Sequence, residues 1–138
     1  MTKMAGAALL ILGACASLFG PDLPDDTQGF IPPPVYREIW AEAEKCSGFK
    51  GDFDRVSWYI VPGHDFKCSS GRCIGEWSPP HAISIADDWK STAWVVKHEI
   101  IHELTGYSHD NGPRDRQLWG IQCQATWGYL PRDSSYVP

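Results

Sequence analysis

The sequence predicts a small α+β domain in which a short mixed sheet packs on one helix. Three observations predict it: three short runs rich in β-branched and aromatic residues, each bounded by Gly or Pro; a helix-periodic segment over 87–105; and a second one over 35–46. At 138 residues the chain is too short for two ordinary domains.

The first element reads as a signal peptide over residues 1–14. Lys3 gives a positive start, and the apolar run from Ala7 to Ala14 is too brief to span a bilayer. That run ends in Leu12-Gly13-Ala14-Cys15, which resembles the lipobox of bacterial lipoproteins and implies lipidation of Cys15. A lipid-anchored place in the bacterial cell envelope, outside the cytoplasm, is therefore expected, with plain secretion as the alternative. Residues 15–34 then hold five prolines, Gly20 and Gly29, a composition suited to an extended tether. An arm lying across the domain, anchored by Phe30 and Ile31, is the other reading.

The domain proper is expected over 35–138. A first helix from Val35 to Cys46 places Val35, Ile39, Ala43 and Cys46 on one side, with the Pro32–Pro34 run before it and Gly48 after it. Strands follow at 56–61, 73–77 and 81–86; in the last of these Ala82, Ser84 and Ala86 alternate with His81, Ile83 and Ile85. The motif helix should begin near Asp87 or Asp88 and continue to about Thr105, with Val96, Ile100 and Leu104 toward the core. Leu118 to Leu130 fits either a short helix or a strand pair.

Five cysteines suit an exported chain. With Cys15 taken by the lipid, Cys46, Cys68, Cys73 and Cys123 remain as an even set. Cys68 and Cys73 flank Ser69-Ser70-Gly71-Arg72, so a local hairpin bridge is expected there, with Cys46 to Cys123 closing the fold. Loss of residues 1–14 leaves 11 Lys and Arg against 17 Asp and Glu, a net charge of -6. That sign excludes a surface built for nucleic acid or anionic lipid, so any membrane link runs through the N-terminal lipid alone.

The chemistry is concentrated in His98-Glu99-Ile100-Ile101-His102. Imidazoles four residues apart share a helix face and can hold one Zn2+, while the carboxylate between them can act as general base toward a water on the metal. His109 is the third candidate ligand. On a continuous helix it would stand roughly 10 Å beyond His102, but a chain reversal at Gly106 brings it back. Asp110 is the alternative third ligand, with Asp115 behind it in that role; otherwise Asp110 is the group that orients His109. Trp89 and Trp94 flank the expected cleft, and Glu103 is expected on the solvent side or paired with Arg114 or Arg116.

The stretch from 81 to 112 resembles the zincin metallopeptidases, and in particular the metzincins, whose motif reads HExxHxxGxxH. His98, Glu99 and His102 match it; Gly106 and His109 arrive one residue late. No Glu follows Glu103, so the later glutamate ligand of thermolysin-like zincins has no counterpart. Methionine is also missing after Met4, and Trp119-Gly120-Ile121 is the candidate for the volume beneath the metal.

The resemblance implies a zincin-like fold and a zinc-dependent endopeptidase acting on a peptide or protein substrate. It also implies an edge strand before the motif helix that pairs with the substrate, a role that falls to Ala82, Ser84 and Ala86. Tyr107, ahead of Tyr129 and Tyr136, is the candidate for stabilising the oxyanion. The chain is expected to act as a monomer. The alternative is a catalytically inert, zinc-stabilised envelope lipoprotein serving as a binding or structural module, with Asp110 closing the metal site.

Overall fold

The computed structural model describes residues 23–126 as one α+β domain. The predicted signal peptide, Cys15, Tyr129 and Tyr136 lie outside those residues. The described chain opens with β1 (Gln28–Gly29) and α1 (Pro34–Ser47). Strands β2 (Ser57–Val61), β3 (Phe66–Cys68), β4 (Gly71–Cys73), β5 (Gly75–Ser78) and β6 (Ala82–Ala86) follow. After them come α2 (Ala93–Thr105), the single turn α3 (Pro113–Asp115) and a π-helical segment over Arg116–Gln122.

Four strands form a mixed sheet in the order β1-β2-β6-β5. β2 and β6 are parallel, with Trp58 opposite Ile83 and Ile60 opposite Ile85, whereas β1 and β5 run antiparallel to their neighbours. Trp58, Ile83 and Ile85 face the helices and join Tyr36, Val96, Ile100 and Trp119 in the main core. Val61 and Ala86 face the other way and are covered by Phe66. All five residues of β6 are buried rather than every second one, as suits a central strand covered on both faces.

Helix α1 begins after the proline run and stops at Gly48, whose φ of 78° is the left-handed exit that glycine adopts without strain. Its buried stripe is Tyr36, Ile39, Trp40 and Ala43, while Val35 is exposed. The stripe is thus turned by one residue from the predicted one, because the two aromatic side chains reach the core across Trp58 and Phe53. The predicted strand 73–77 divides: Cys73 ends β4 and Gly75 starts β5. α2 starts later than predicted, at Ala93, because Asp87–Trp89 form a 3-10 turn of their own.

Both predicted disulfides are present, Cys68–Cys73 across the β3–β4 hairpin and Cys46–Cys123 from the end of α1 to the end of the π-helical segment. Such bridges point to an oxidising environment. Among the described residues, no helix is long and apolar enough to cross a membrane. The arm before α1 lies against the domain: β1 adds to β2, Phe30 donates its N–H to the Trp58 carbonyl, and its ring meets Tyr36 at 5.7 Å. From Leu23 onward the arm reading therefore replaces the tether over this part of 15–34. Ile31, the other expected anchor, is 93% exposed.

Candidate metal centre

α2 carries the motif on a helix that is buried on most sides. Val95, Val96, Ile100, Ile101 and Leu104 pack into the core, and Glu99 and His102 are buried with them. The helix stops where the sequence places the stop: Gly106 has φ 67°, and its N–H donates to the His102 carbonyl. The reversed chain then returns His109 to the helix.

Three ring nitrogens converge. His98 Nε2 lies 2.8 Å from His109 Nε2 and 3.3 Å from His102 Nε2, and the last two are 3.1 Å apart. These three histidines form a group that could hold a metal ion. The opposite nitrogen of each ring is occupied. His98 Nδ1 donates to the Ala125 carbonyl at 2.8 Å, His102 Nδ1 to the Tyr107 carbonyl at 2.5 Å, and His109 Nδ1 to Asp115 Oδ2 at 3.2 Å. A proton fixed on each Nδ1 leaves three lone pairs facing one another, an arrangement that calls for a cation at their centre.

Electrostatics agree with neutral ligands. Burial pushes His98 down to about 3 against the pull of the Ala125 carbonyl, and the other two imidazoles lower it further. Burial likewise takes His102 down to about 4, opposed by the Tyr107 carbonyl. Burial would raise the Asp115 carboxyl, yet the backbone N–H groups of Asn111 and Asp110 and the His109 ring outweigh it and hold the carboxyl below its ordinary value. Asp115 is thus an ionised partner for His109.

Glu99 sits beside the cluster, 6% exposed. Burial lifts its carboxyl to about 8, with the Trp77 main chain opposing and the Glu76 carboxylate adding to the rise. A cation held by the histidines would reverse that trend. β5 approaches so closely that a Cβ on Gly75 would meet Glu99 Oε1 at 2.7 Å. Only a glycine leaves the carboxylate its place.

The cluster lies between two cavities. One, of about 380 Å³, is lined by Gly75, Glu76, Trp77, Glu99, Ser108 and all three histidines. The other, of about 370 Å³, is lined by Asn111, Arg116, Trp119, Thr126, His98 and His109. Trp119 forms the floor: it is 1% exposed, and its ring centre lies 4.7 to 5.9 Å from those of the three histidines. Trp119 thus packs directly against all three imidazoles.

Several expectations need correction. Ala82, Ser84 and Ala86 cannot receive a substrate strand, because β6 is paired on both sides and these residues are 8%, 1% and 0% exposed. The strand at the sheet edge next to the cluster is β5 instead. Tyr107 does not line either cavity; its ring packs on Phe49 and under the Arg114 guanidinium, and its contribution is the backbone carbonyl that orients His102. Asp110 is no ligand: its carboxylate accepts the Gly112 N–H and pairs with Arg114, and Asp115 takes the orienting role. The Glu103 side chain is 7% exposed rather than solvent-facing, and its partners are Trp77 and His81. Trp77 and Trp119 line the cavities in place of Trp89 and Trp94.

Gly75, Trp77 and Trp119 as neighbours of the site are tertiary facts without a local motif. Asp115 had a weak signal, since an acid two residues beyond Pro113 in a turn-rich stretch can fold back on preceding N–H groups. Compared with family models, with curated proteins and with solved structures, the chain matches none.

Proposed function

We propose that this chain is a zinc-dependent endopeptidase. One observation carries the reading: three Nε2 lone pairs aim at a single point beside a buried carboxylate, in a cleft open on two sides. Tetrahedral zinc at about 2.0–2.1 Å from imidazole nitrogen sets its ligands roughly 3.3 Å apart. The separations of 2.8, 3.1 and 3.3 Å fit that triangle with small adjustments. Three imidazole ligands suit zinc and leave a fourth position for solvent or substrate.

When bound, zinc supplies a Lewis acid that acidifies water and polarises the scissile carbonyl. Glu99 takes the proton of the attacking water and delivers it to the leaving amine. β5 packs against the Glu99 carboxylate at Gly75, and Asp115 and the Ala125 and Tyr107 carbonyls hold the three rings. An extended peptide would lie along β5, whose residues line the cavity at the sheet edge. The inert-module alternative needs a fourth protein ligand, and its candidate, Asp110, is engaged by Gly112 and Arg114.

Glu99→Gln is the decisive variant. It should keep one zinc per chain and lower hydrolysis of an unstructured protein by about 10²–10⁴-fold. Unchanged hydrolysis would remove Glu99 from the mechanism, and a wild-type protein without stoichiometric zinc would overturn the proposal. The lipid-anchored envelope location belongs to the same reading; the two disulfides support export, and radiolabelled palmitate incorporated by wild type but not by Cys15→Ala would test the anchor.

A further inference from the structure

Behind the metal centre lies a second polar cluster that the hydrolytic reading does not use. Glu103 is buried in the helix face one turn after Glu99, its side chain 7% exposed. A carboxylate taken so far from water needs donors, and it has two. Trp77 Nε1 donates to Oε2 at 2.7 Å, and His81 Nδ1 donates to Oε1 at 2.7 Å. The far nitrogen of His81 accepts from Arg55 at 2.8 Å. The chain Arg55–His81–Glu103–Trp77 thus runs from the turn before β2, through the turn between β5 and β6, to the motif helix and back to β5.

Trp77 is the point at which this chain meets the site. Its strand abuts Glu99 at Gly75, two residues away, and its indole plane lies 9° from that of His102, with ring centres 6.2 Å apart. Two carboxylates at i and i+4 of α2 therefore meet β5, Glu99 against Gly75 and Glu103 through the Trp77 indole. β5 is bonded to β6 on one side only, so its height above α2 is not fixed by the sheet alone. The tie to Glu103 fixes it.

We propose that Glu103 and Trp77 form a clamp that positions both the proposed general base Glu99 and the metal ligand His102, with His81 and Arg55 holding Glu103 from behind. The inference rests on the peptidase reading for the role of Glu99, and on the histidine cluster alone for the role of His102. None of the four residues is a catalytic group; each acts through Glu99 or His102.

The test uses the full chain loaded with zinc. Trp77→Phe keeps an aromatic face toward His102 and removes the Nε1 donor together with part of the ring volume. His81→Ala removes the support of Glu103 from a partly exposed turn, and His81→Gln restores a donor. Zinc affinity is measured by competition with a chelator, and kcat and KM on an unstructured protein are measured separately. Trp77→Phe and His81→Ala should each weaken zinc binding by about 10-fold and lower kcat by at least 10-fold at unchanged KM, and His81→Gln should recover most of both.

Zinc affinity and kcat at wild-type values in both variants would overturn the clamp and leave the peptidase reading standing. A change confined to thermal stability, with zinc affinity and kcat intact, would overturn it as well. If the wild type does not hydrolyse the substrate, the peptidase reading fails, and unchanged zinc affinity in the variants would then defeat the clamp independently.

Discussion

At the scale of single residues, the site depends on groups that hold the ligands as much as on the ligands. His109 comes from a loop and is aimed by Asp115, which also accepts the N–H groups of Asp110 and Asn111. Asp115→Ala should weaken zinc binding by about 10–100-fold in chelator competition, whereas Asp110→Ala should change it less than threefold. Gly75→Ala should place a methyl group on the Glu99 carboxylate, keep the metal, and lower kcat by about 10-fold or more. The histidine pKa values also set the acid response of the metal-free protein. His98 and His102 are held near 3 and 4, below the ordinary 6.5, so the fold favours their neutral forms. Their contribution to stability is complete above pH 6.5 and is lost as pH falls from there through 4 and 3. Glu99 has the opposite sign: with its carboxyl raised to about 8, its contribution is complete below 4.5 and is lost as pH rises to 8. Urea midpoints in chelator should therefore fall as pH drops from 6.5, more steeply once pH passes below 4.5, and a flat profile would contradict the neutral-histidine assignment.

At the scale of elements, two devices assemble the ligands. The first is the left-handed stop of α2. Gly106 at φ 67° turns the chain so that the Tyr107 carbonyl reaches His102 and His109 reaches the cluster. Gly106→Ala should cost about 1–2 kcal/mol in urea unfolding and weaken the metal through His109. The second is the Cys46–Cys123 bridge. It holds the end of the π-helical segment against α1, two residues before Ala125, whose carbonyl orients His98. Closing a loop of 77 residues is worth roughly 4–5 kcal/mol on the chain-entropy model. Cys46→Ser with Cys123→Ser should lose stability of that order and also loosen zinc, measured by calorimetry and by chelator competition. The stop of α2 and both bridges were readable in the sequence, because a glycine after a periodic run and an even set of cysteines are local signals. The π-helical segment was not, since its form follows from Trp119 packing beneath three imidazoles and from the bridge at its end.

At the scale of the whole molecule, the sheet order separates two tasks. β1 and the arm lie at one edge, and β5 with the metal centre lies at the other. Removing the arm, by starting the chain at Pro34, should cost about 2–3 kcal/mol through the loss of Phe30 burial and β1 pairing, and should leave zinc affinity within about threefold. A large loss of zinc affinity would mean that the two edges are coupled. The same sheet order explains where sequence reasoning misplaced the substrate edge. Alternation and small side chains in Ala82–Ala86 describe a strand equally well at an edge or in the middle, and only its pairing with β2 on one side and β5 on the other decides. The α+β class, the disulfide pairs, the helix that carries His98, Glu99 and His102, and the reversal that returns His109 were all legible along the chain. Each of these rests on spacing along the chain, which a periodic backbone converts directly into direction. That β5 is the edge strand, that Asp115 rather than Asp110 orients His109, that Tyr107 serves through its carbonyl, and that Trp77 and Glu103 meet emerged from the folded chain alone. Those facts depend on which distant segments the core brings together, and the burial of aromatic side chains that drives that choice carries no local pattern.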